Sequence, residues 1–339
     1  LFKKLVLTAV YDYRQRDNLF KYRNNTFEYS RREGVMETFT SGSVENSYRE
    51  VHYGYKGHNV NIYGTYENSW GGHHFKATAG GQYEDYRSTS LDVKQIDLSS
   101  DNIDSFTVAT GPITLSQSIS AYRTLGFFGR VNYDYEGRYI FEASARGDGS
   151  SRFAPNTRWG YFPAASVGWR VSDESFLRNV KWLDDLKLRA SVGQTGNAQI
   201  GNSEYLALYG MTNIDLGNGL TSQVYPSQIA NNDLGWEKNT QYNIGLDVSL
   251  WRGTLGFTAD YYYSKTTDML FDVPVSSVSG LTSSNVNIGS MQNRGIELAL
   301  TSRRSFGDFS YAFAANWSLN RNKVLSLGDE NADIIKESS

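Results

Sequence analysis

Few residues in this sequence could do chemistry. There is no cysteine, which removes disulfides and thiolate metal sites. The histidines are His52, His58, His73 and His74. Neighbours on a strand point to opposite faces, so His73 and His74 make poor co-ligands, and solvated turn positions are their expected place. No Gly-x-Ser-x-Gly elbow occurs, and Gly193-Gln-Thr-Gly196 lacks the lysine a phosphate loop requires. Asp329-Glu-Asn-Ala-Asp333 begins like a calcium loop, but Ile334 stands where such a loop needs glycine. Asp97, Asp101 and Asp104 read as a solvated acidic loop. Arg146-Gly-Asp148 spells an adhesion tripeptide, and three residues are too few to carry that role. No nucleophile–base or metal constellation emerges, so the sequence points away from an enzyme and implies no cofactor.

What remains is a set of charges with a common spacing. Arg130, Asp134, Glu142, Arg146, Arg158, Arg170, Arg189, Asp247 and Asp260 share parity with small polar residues. The segments that position them have period two. Val131, Tyr133 and Tyr135 alternate with Arg130, Asn132 and Asp134. Tyr139, Phe141, Ala143 and Ala145 alternate with Ile140, Glu142, Ser144 and Arg146. Such alternation marks strands apolar on one face. The runs reach about ten residues or more, the length a tilted strand needs to cross a bilayer. An arginine turned to lipid near the midplane would cost about 2–4 kcal/mol, so the charged parity is expected to face a lumen. There the charges can pair with one another, dock a plug or line a substrate path.

Composition agrees. The 24 Tyr and 32 Gly against 5 Pro suit β structure. Formal charge is -3, without the basic footprint of a nucleic-acid binder. Mean hydropathy is -0.50 and no apolar run is long enough for a membrane helix, which leaves a barrel open because its lumen face is polar.

Along the chain the pattern predicts eleven strands, near residues 5–14, 49–67, 75–87, 120–135, 139–147, 158–171, 186–195, 237–250, 255–266, 291–302 and 309–321. The apolar parity flips across Lys56-Gly57-His58, which predicts a β-bulge there. Segments 15–46, 88–118 and 196–235 read as long loops, the second with a short strand near Phe106–Ala109, and Ser172–Asp185 as a connection holding one helical turn. Short and long connections alternate throughout, as periplasmic turns and extracellular loops do in outer-membrane barrels. Trp70, Trp169, Trp182 and Trp251 fall at the short-turn ends, and Trp159, Trp236 and Trp317 toward the long-loop ends, as two interfacial girdles would.

Several phrases carry a family resemblance. They are Arg146-Gly147-Asp148-Gly149-Ser150-Ser151-Arg152-Phe153, Arg158-Trp159-Gly160-Tyr161-Phe162-Pro163, Trp182-Leu-Asp-Asp-Leu-Lys-Leu-Arg-Ala-Ser191 and Gly193-Gln-Thr-Gly-Asn197. Asn293-Arg-Gly295-Ile-Glu297-Leu298 adds another. In this order they resemble the SusC/RagA family of TonB-dependent outer-membrane transporters of Bacteroidetes-type bacteria. The motif residues are expected to be mainly structural. The resemblance implies a barrel of about 22 strands with an N-terminal plug. It further implies energy from TonB, a SusD-type surface lipoprotein partner, outer-membrane lipid around the wall, and oligosaccharide or peptide substrates. Residues 1–339 then read as a partial barrel domain, with the plug before them and closing strands after, because an open sheet edge in lipid would leave backbone groups unpaired. A passive porin and a β-rich surface adhesin are the competing readings.

Two structural expectations are specific. Strands 120–135 and 139–147 should form a hairpin with Tyr135 opposite Tyr139, Phe128 opposite Arg146, Arg130 opposite Ser144 and Asn132 opposite Glu142. Leu125, Val131, Phe141, Val167, Leu188, Leu246, Phe257 and Phe313 should share the convex, lipid side and lie exposed in an isolated chain.

Overall fold

The computed structural model describes residues 4–40, 46–100, 102–215, 219–274, 281 and 283–327. The chain gathers into two compact units. One comprises Leu1–Ala9, Asn61–Gln82 and Thr124–Ser339; the other comprises Val10–Val60 and Tyr83–Arg123. The strands are β1 (Leu5–Asn24), β2 (Thr26–Arg32), β3 (Val35–Thr40), β4 (Ser47–Trp70), β5 (His73–Ile96), β6 (Ile113–Tyr135), β7 (Tyr139–Ser150), β8 (Trp159–Arg170) and β9 (Leu183–Asn197). They continue as β10 (Leu208–Asp215), β11 (Leu220–Gln228), β12 (Glu237–Leu250), β13 (Leu255–Thr267), β14 (Leu270–Pro274), β15 (Ser283–Asn287), β16 (Ser290–Phe306) and β17 (Phe309–Ser326). Eleven form one sheet in the order β1-β4-β5-β6-β7-β8-β9-β12-β13-β16-β17, and β2-β3, β10-β11 and β14-β15 are separate hairpins.

In the first unit the register carries the alternation from strand to strand. Tyr135 faces Tyr139, Phe128 faces Arg146, Arg130 faces Ser144 and Asn132 faces Glu142, as the apolar parity required. Pairing then links Phe141 to Val167, Trp169 to Leu188, Leu188 to Leu246, Val248 to Phe257, Phe257 to Leu300 and Ser302 to Phe313. Opposed residues share a face, so all eight predicted apolar positions from β6 to β17 lie on one side of the sheet. None of them is buried. Val167 is 53% and Phe313 54% exposed, which excludes a sandwich in which a second sheet covers this face.

The short turns are tight and tied together. Glu136 (φ 54°) and Gly137 (φ 65°) both take the left-handed conformation, and the Arg138 N–H closes the turn on the Tyr135 carbonyl at 3.0 Å. Glu136 N–H also donates to Gly72 O, Arg170 to Arg138 O, Trp251 to Trp182 O and Arg303 to Thr254 O, at 2.6–3.0 Å. Each turn is thus bonded to the next. Trp70, Trp169, Trp182 and Trp251 lie exposed at this end beside Phe306 and Phe309. Trp159 opens β8 at the opposite end, with its ring stacked 6.4 Å from Phe127. Two tryptophans depart from the expected girdles. Trp317 lies in the body of β17 opposite Leu298, and Trp236 packs against Phe153 and Phe162.

The second unit corrects the sequence reading most. β1, β4, β5 and β6 run 20, 24, 24 and 23 residues; β4 keeps close to its predicted ends, and the other three run well past theirs. Segment 15–46 holds the rest of β1 and the β2–β3 hairpin, and both ends of 88–118 are strand, the close of β5 and the opening of β6. The remaining connection is compact. Phe106–Val108 is a 3-10 turn rather than a strand, Leu98 bridges Ala109, and the buried Gln95 side-chain amide donates to the Ala109 and Gly111 carbonyls. The bulge is absent. Odd residues of β4 meet even residues of β5 on both sides of Lys56-Gly57-His58, through Arg49–Asp92 and Thr65–Thr78, so no residue is inserted there. Tyr55 instead joins the polar parity, packing on Tyr86, which stacks on Tyr122.

Candidate functional site

The polar face is built from paired charges. On β6 and β7, Glu142 Oε2 accepts from Arg130 Nη2 at 2.6 Å and from Asn132 Nδ2 at 2.5 Å. Arg189 on β9 donates two bonds to Asp247 on β12, at 2.6 and 3.0 Å, and a third to Asp260 on β13 at 3.2 Å. That fork is a geometry lysine could not reproduce. Space for it comes from Gly245, where a Cβ would stand 2.7 Å from the guanidinium carbon. Glu297 lies opposite Asp260 on the same face, next to Gly295, whose missing side chain lets the Leu319 carbonyl approach to 2.5 Å of the Cβ position. Asn293 accepts from Asn322 Nδ2 at 2.7 Å. The Asn-Arg-Gly-Ile-Glu phrase therefore has a packing reason at Gly295.

Other predicted lumen residues prove to be fasteners. Asp134 Oδ1 accepts from the Gly137 N–H at 3.0 Å and holds the β6–β7 turn. Arg170 pairs with Asp185 at 3.2 Å, bracing the β8–β9 connection. In the adhesion-like tripeptide, Arg146 Nε donates to both Asp148 oxygens, at 2.8 and 2.6 Å, and Nη2 donates to Gln82. Both residues belong to β7, and the pair is closed on itself rather than displayed on a flexible loop.

The family phrases converge at the long-loop end of the first unit. Phe153, Ala154 and Leu234 are almost fully buried, and Ser150 with them. Phe153 lies 5.4 Å from the Trp236 ring and Phe162 lies 5.3 Å from it. The Trp236 indole N–H donates to the Arg158 carbonyl, and the Ser150 N–H donates to the same oxygen, at 2.9 and 3.2 Å. Arg152 reaches Asn202 Oδ1 and the Ala198 carbonyl, both at 3.0 Å. Thr157 Oγ1 donates to the Leu234 carbonyl at 2.6 Å. Asn287 clamps the backbone of Gly235, accepting its N–H at 2.7 Å and donating to its carbonyl at 3.0 Å, while Asn285 donates to Glu204. Three loops, 151–158, 198–236 and 268–289, are stitched into one rim. Motif residues Arg146 to Pro163 take part in it; Leu234 and Asn287 did not stand out, because an isolated residue in a connection has no period to betray it, and Trp236 read only as part of an interfacial girdle.

His73 and His74 separate as predicted, but all four histidines lie in strands, His52 and His58 in β4 and His73 and His74 at the start of β5, and not in turns. His73 Nδ1 meets the Tyr133 hydroxyl and His74 Nδ1 meets Ser69 Oγ, at 2.8 Å each. Among the described residues no three His, Cys, Asp or Glu gather as a ligand set. The Asp329–Asp333 segment and Asp101 lie outside the described residues.

A sheet with one exposed apolar face, one ion-paired face, aromatic short-turn ends and a stitched loop rim defines the wall of an outer-membrane β-barrel. The chain belongs to the TonB-dependent receptor-like β-barrel family, whose model matches residues 2–334. It is 37% identical over 247 residues to TonB-dependent receptor P39 of Formosa agariphila, covering 73% of this chain and 22% of that protein. It is 32% identical over 326 residues to TonB-dependent receptor SusC of Bacteroides thetaiotaomicron, covering 90% of this chain and 31% of SusC. The RagAB peptide transporter structure superposes with a TM-score of 0.82 at 27% identity, over 96% of this chain and 35% of that one. The chain therefore spans under a third of the length of these curated relatives. The family is one of transporters, not enzymes.

With the aromatic turns at one interface, strands of 20–24 residues overshoot a bilayer that about ten residues cross, so their far ends lie outside it. Ion pairs there set a pH dependence. Arg49 donates to Asp92 and holds its carboxyl below the ordinary range, and the Tyr48 hydroxyl, aided by His52 and Lys21, does the same for Glu50. A lowered folded pKa gives stability that is complete above the ordinary carboxylate range and is lost as pH falls through the folded value. Amide protection factors at 47–50 and 90–96, with the intrinsic pH dependence of exchange divided out, should therefore fall as pH drops below that range. Protection factors that hold or rise on acidification would contradict these pairings.

Proposed function

We propose that the chain is part of the wall of an active importer of bulky solutes, energised through TonB and closed at the surface by a SusD-type lipoprotein. The main support is its likeness to RagAB and SusC along nearly its whole length. Oligosaccharides or peptides are the solute classes that likeness suggests. The polar face suits the reading, since paired charges such as Arg189–Asp247–Asp260 offer fixed dipoles to a plug or a passing solute. The rim adds the β10–β11 hairpin, where Tyr209, Met211 and Val224 are 68%, 73% and 60% exposed, as apolar surface for the lid or the solute.

The test is uptake by cells carrying the intact gene. Uptake should vanish without TonB, and undiminished uptake would leave a passive porin. Removing segment 197–235 outright would also take out the buried Leu234, so the loop is not dispensable to the rim. Trimming only Leu208–Gln228 should lower uptake or lipoprotein capture while the amount of assembled barrel stays unchanged.

A further inference from the structure

We propose that the short-turn border of the first unit binds a glycerophospholipid with an anionic headgroup, its phosphate held by Arg178, Lys181 and Arg252 and an acyl chain by the apolar face beside them. Connection 171–182, between β8 and β9, folds onto that face. Glu174 accepts from the Tyr139 hydroxyl at 2.5 Å and from the Trp169 indole N–H at 3.0 Å. Tyr139 opposes Trp169 and Trp169 opposes Leu188, so both rings belong to the apolar face. The β12–β13 turn is bound to the same connection and to the first residues of β9. Trp251 N–H donates to Trp182 O at 2.9 Å, and Gly253 N–H donates to Asp184 Oδ2 at 2.8 Å. Arg252 lies between those two bonds, and Lys181 adjoins the first.

Charge is unequally engaged along this border. Asp173 and Asp185 pair with Arg170, and Glu136 and Glu174 pair with Arg138. Asp184 is taken by the Gly253 N–H. Arg178, Lys181 and Arg252 are exposed, and none makes a side-chain hydrogen bond or an ion pair with a described residue. The acids are occupied while three cations wait for an anion. Trp251 and Arg252 also take φ of 55° and 59°, ahead of Gly253 at 73°. Bulky side chains are strained in that left-handed region, and such strain concentrates at ligand clamps.

What adjoins the cations fixes the occupant. Tyr139, Phe141, Val167, Trp169, Leu188 and Ile244 line a groove of about 730 Å³ on the apolar face. Two of them, Tyr139 and Trp169, are the residues that hold Glu174. A soluble anion would leave this groove empty, and a zwitterionic lipid would bring a positive charge to the cations. An anionic lipid uses both parts. Aromatic rings at headgroup level and basic side chains against anionic lipid are the ordinary chemistry of such a border. Phe176, 66% exposed in the same connection, adds apolar surface to it. The proposal needs only the barrel wall and stands apart from the importer reading.

The experiment titrates the purified full-length protein in detergent with phosphatidylglycerol or with phosphatidylcholine of identical chains, and follows bound lipid by native mass spectrometry. Phosphatidylglycerol should bind at least tenfold more tightly. On the unaltered protein it should slow amide exchange at 174–184 and 251–254, and phosphatidylcholine should not. The combined variant Arg178→Gln, Lys181→Gln, Arg252→Gln should migrate as an assembled barrel and lose the preference. Arg178→Lys with Arg252→Lys should keep it, because a point charge suffices for a phosphate. Ala190→Phe fills the groove between Val167 and Ile244 and should weaken phosphatidylglycerol binding with the cations intact. Equal affinity for the two lipids, or a preference that survives the glutamine substitutions, would overturn the proposal. Displacement by an equal concentration of glycerol 1-phosphate would also overturn it, as the mark of a soluble-anion site. Full binding by Ala190→Phe would do the same for the groove. None of these readouts measures uptake, so failure here leaves the importer reading untouched, and loss of that reading leaves this site standing.

Discussion

Replacing Phe153 with alanine should undo the loop rim while leaving the strands paired. The ring is fully buried against Trp236, which also packs on Phe162. Truncating a buried phenylalanine typically costs about 3–5 kcal/mol, partly as lost transfer and partly as cavity. The loss should fall on segments 151–158 and 198–236, whose cross-bonds through Thr157 and the Arg158 carbonyl depend on that packing. Protease sensitivity and amide exchange should rise in both together. Strand amides in β7, β8 and β12 should keep their protection. A Phe153→Leu variant, conserving most of the volume, should recover much of the difference. Loosening confined to 151–158 would show that the loops are not one unit.

Ile244→Arg should have the second largest effect. Ile244 is 65% exposed on the apolar face of β12, with Ala190 and Tyr261 as its cross-strand partners. It stands several residues from the aromatic turn at Trp251, near mid-membrane. An arginine there should cost about 2–4 kcal/mol in a lipid bilayer. The adjacent Asn243→Arg places the same charge on the polar face and should cost far less. The comparison is read by heat-modifiable migration and unfolding in lipid vesicles. Equal costs for the two would mean that the two faces do not see different solvents.

Within the membrane-spanning stretches the sequence was nearly transparent. Lipid on one side and polar contacts on the other force a residue-by-residue alternation, so the β6–β7 register could be derived from Tyr135 and Tyr139 alone. Past the bilayer that forcing ends. Gln15-Arg16-Asp17 in β1 and Ser88-Thr-Ser90 in β5 continue their strands with polar residues on both faces, and the ladder holds without an apolar period to announce it. The supposed bulge has a similar origin. Tyr53 and Tyr55 look apolar by composition, yet a tyrosine carries a hydroxyl and sits on a polar face as readily as on a lipid one. The β10–β11 hairpin was hidden for a third reason: its flanks are rich in Asn, Gly and Ser, the signature of irregular loops.

Consider finally the bonds that join each short turn to the next, from Gly72–Glu136 through Arg138–Arg170 and Trp182–Trp251 to Thr254–Arg303. They amount to a hem along the lower border of the wall. A tug on one turn is shared with its neighbours, because the hem must stretch before any single hairpin can slide. That border therefore resists the sliding of one hairpin past the next, and a force applied from below would be shared among neighbouring turns rather than borne by one thread.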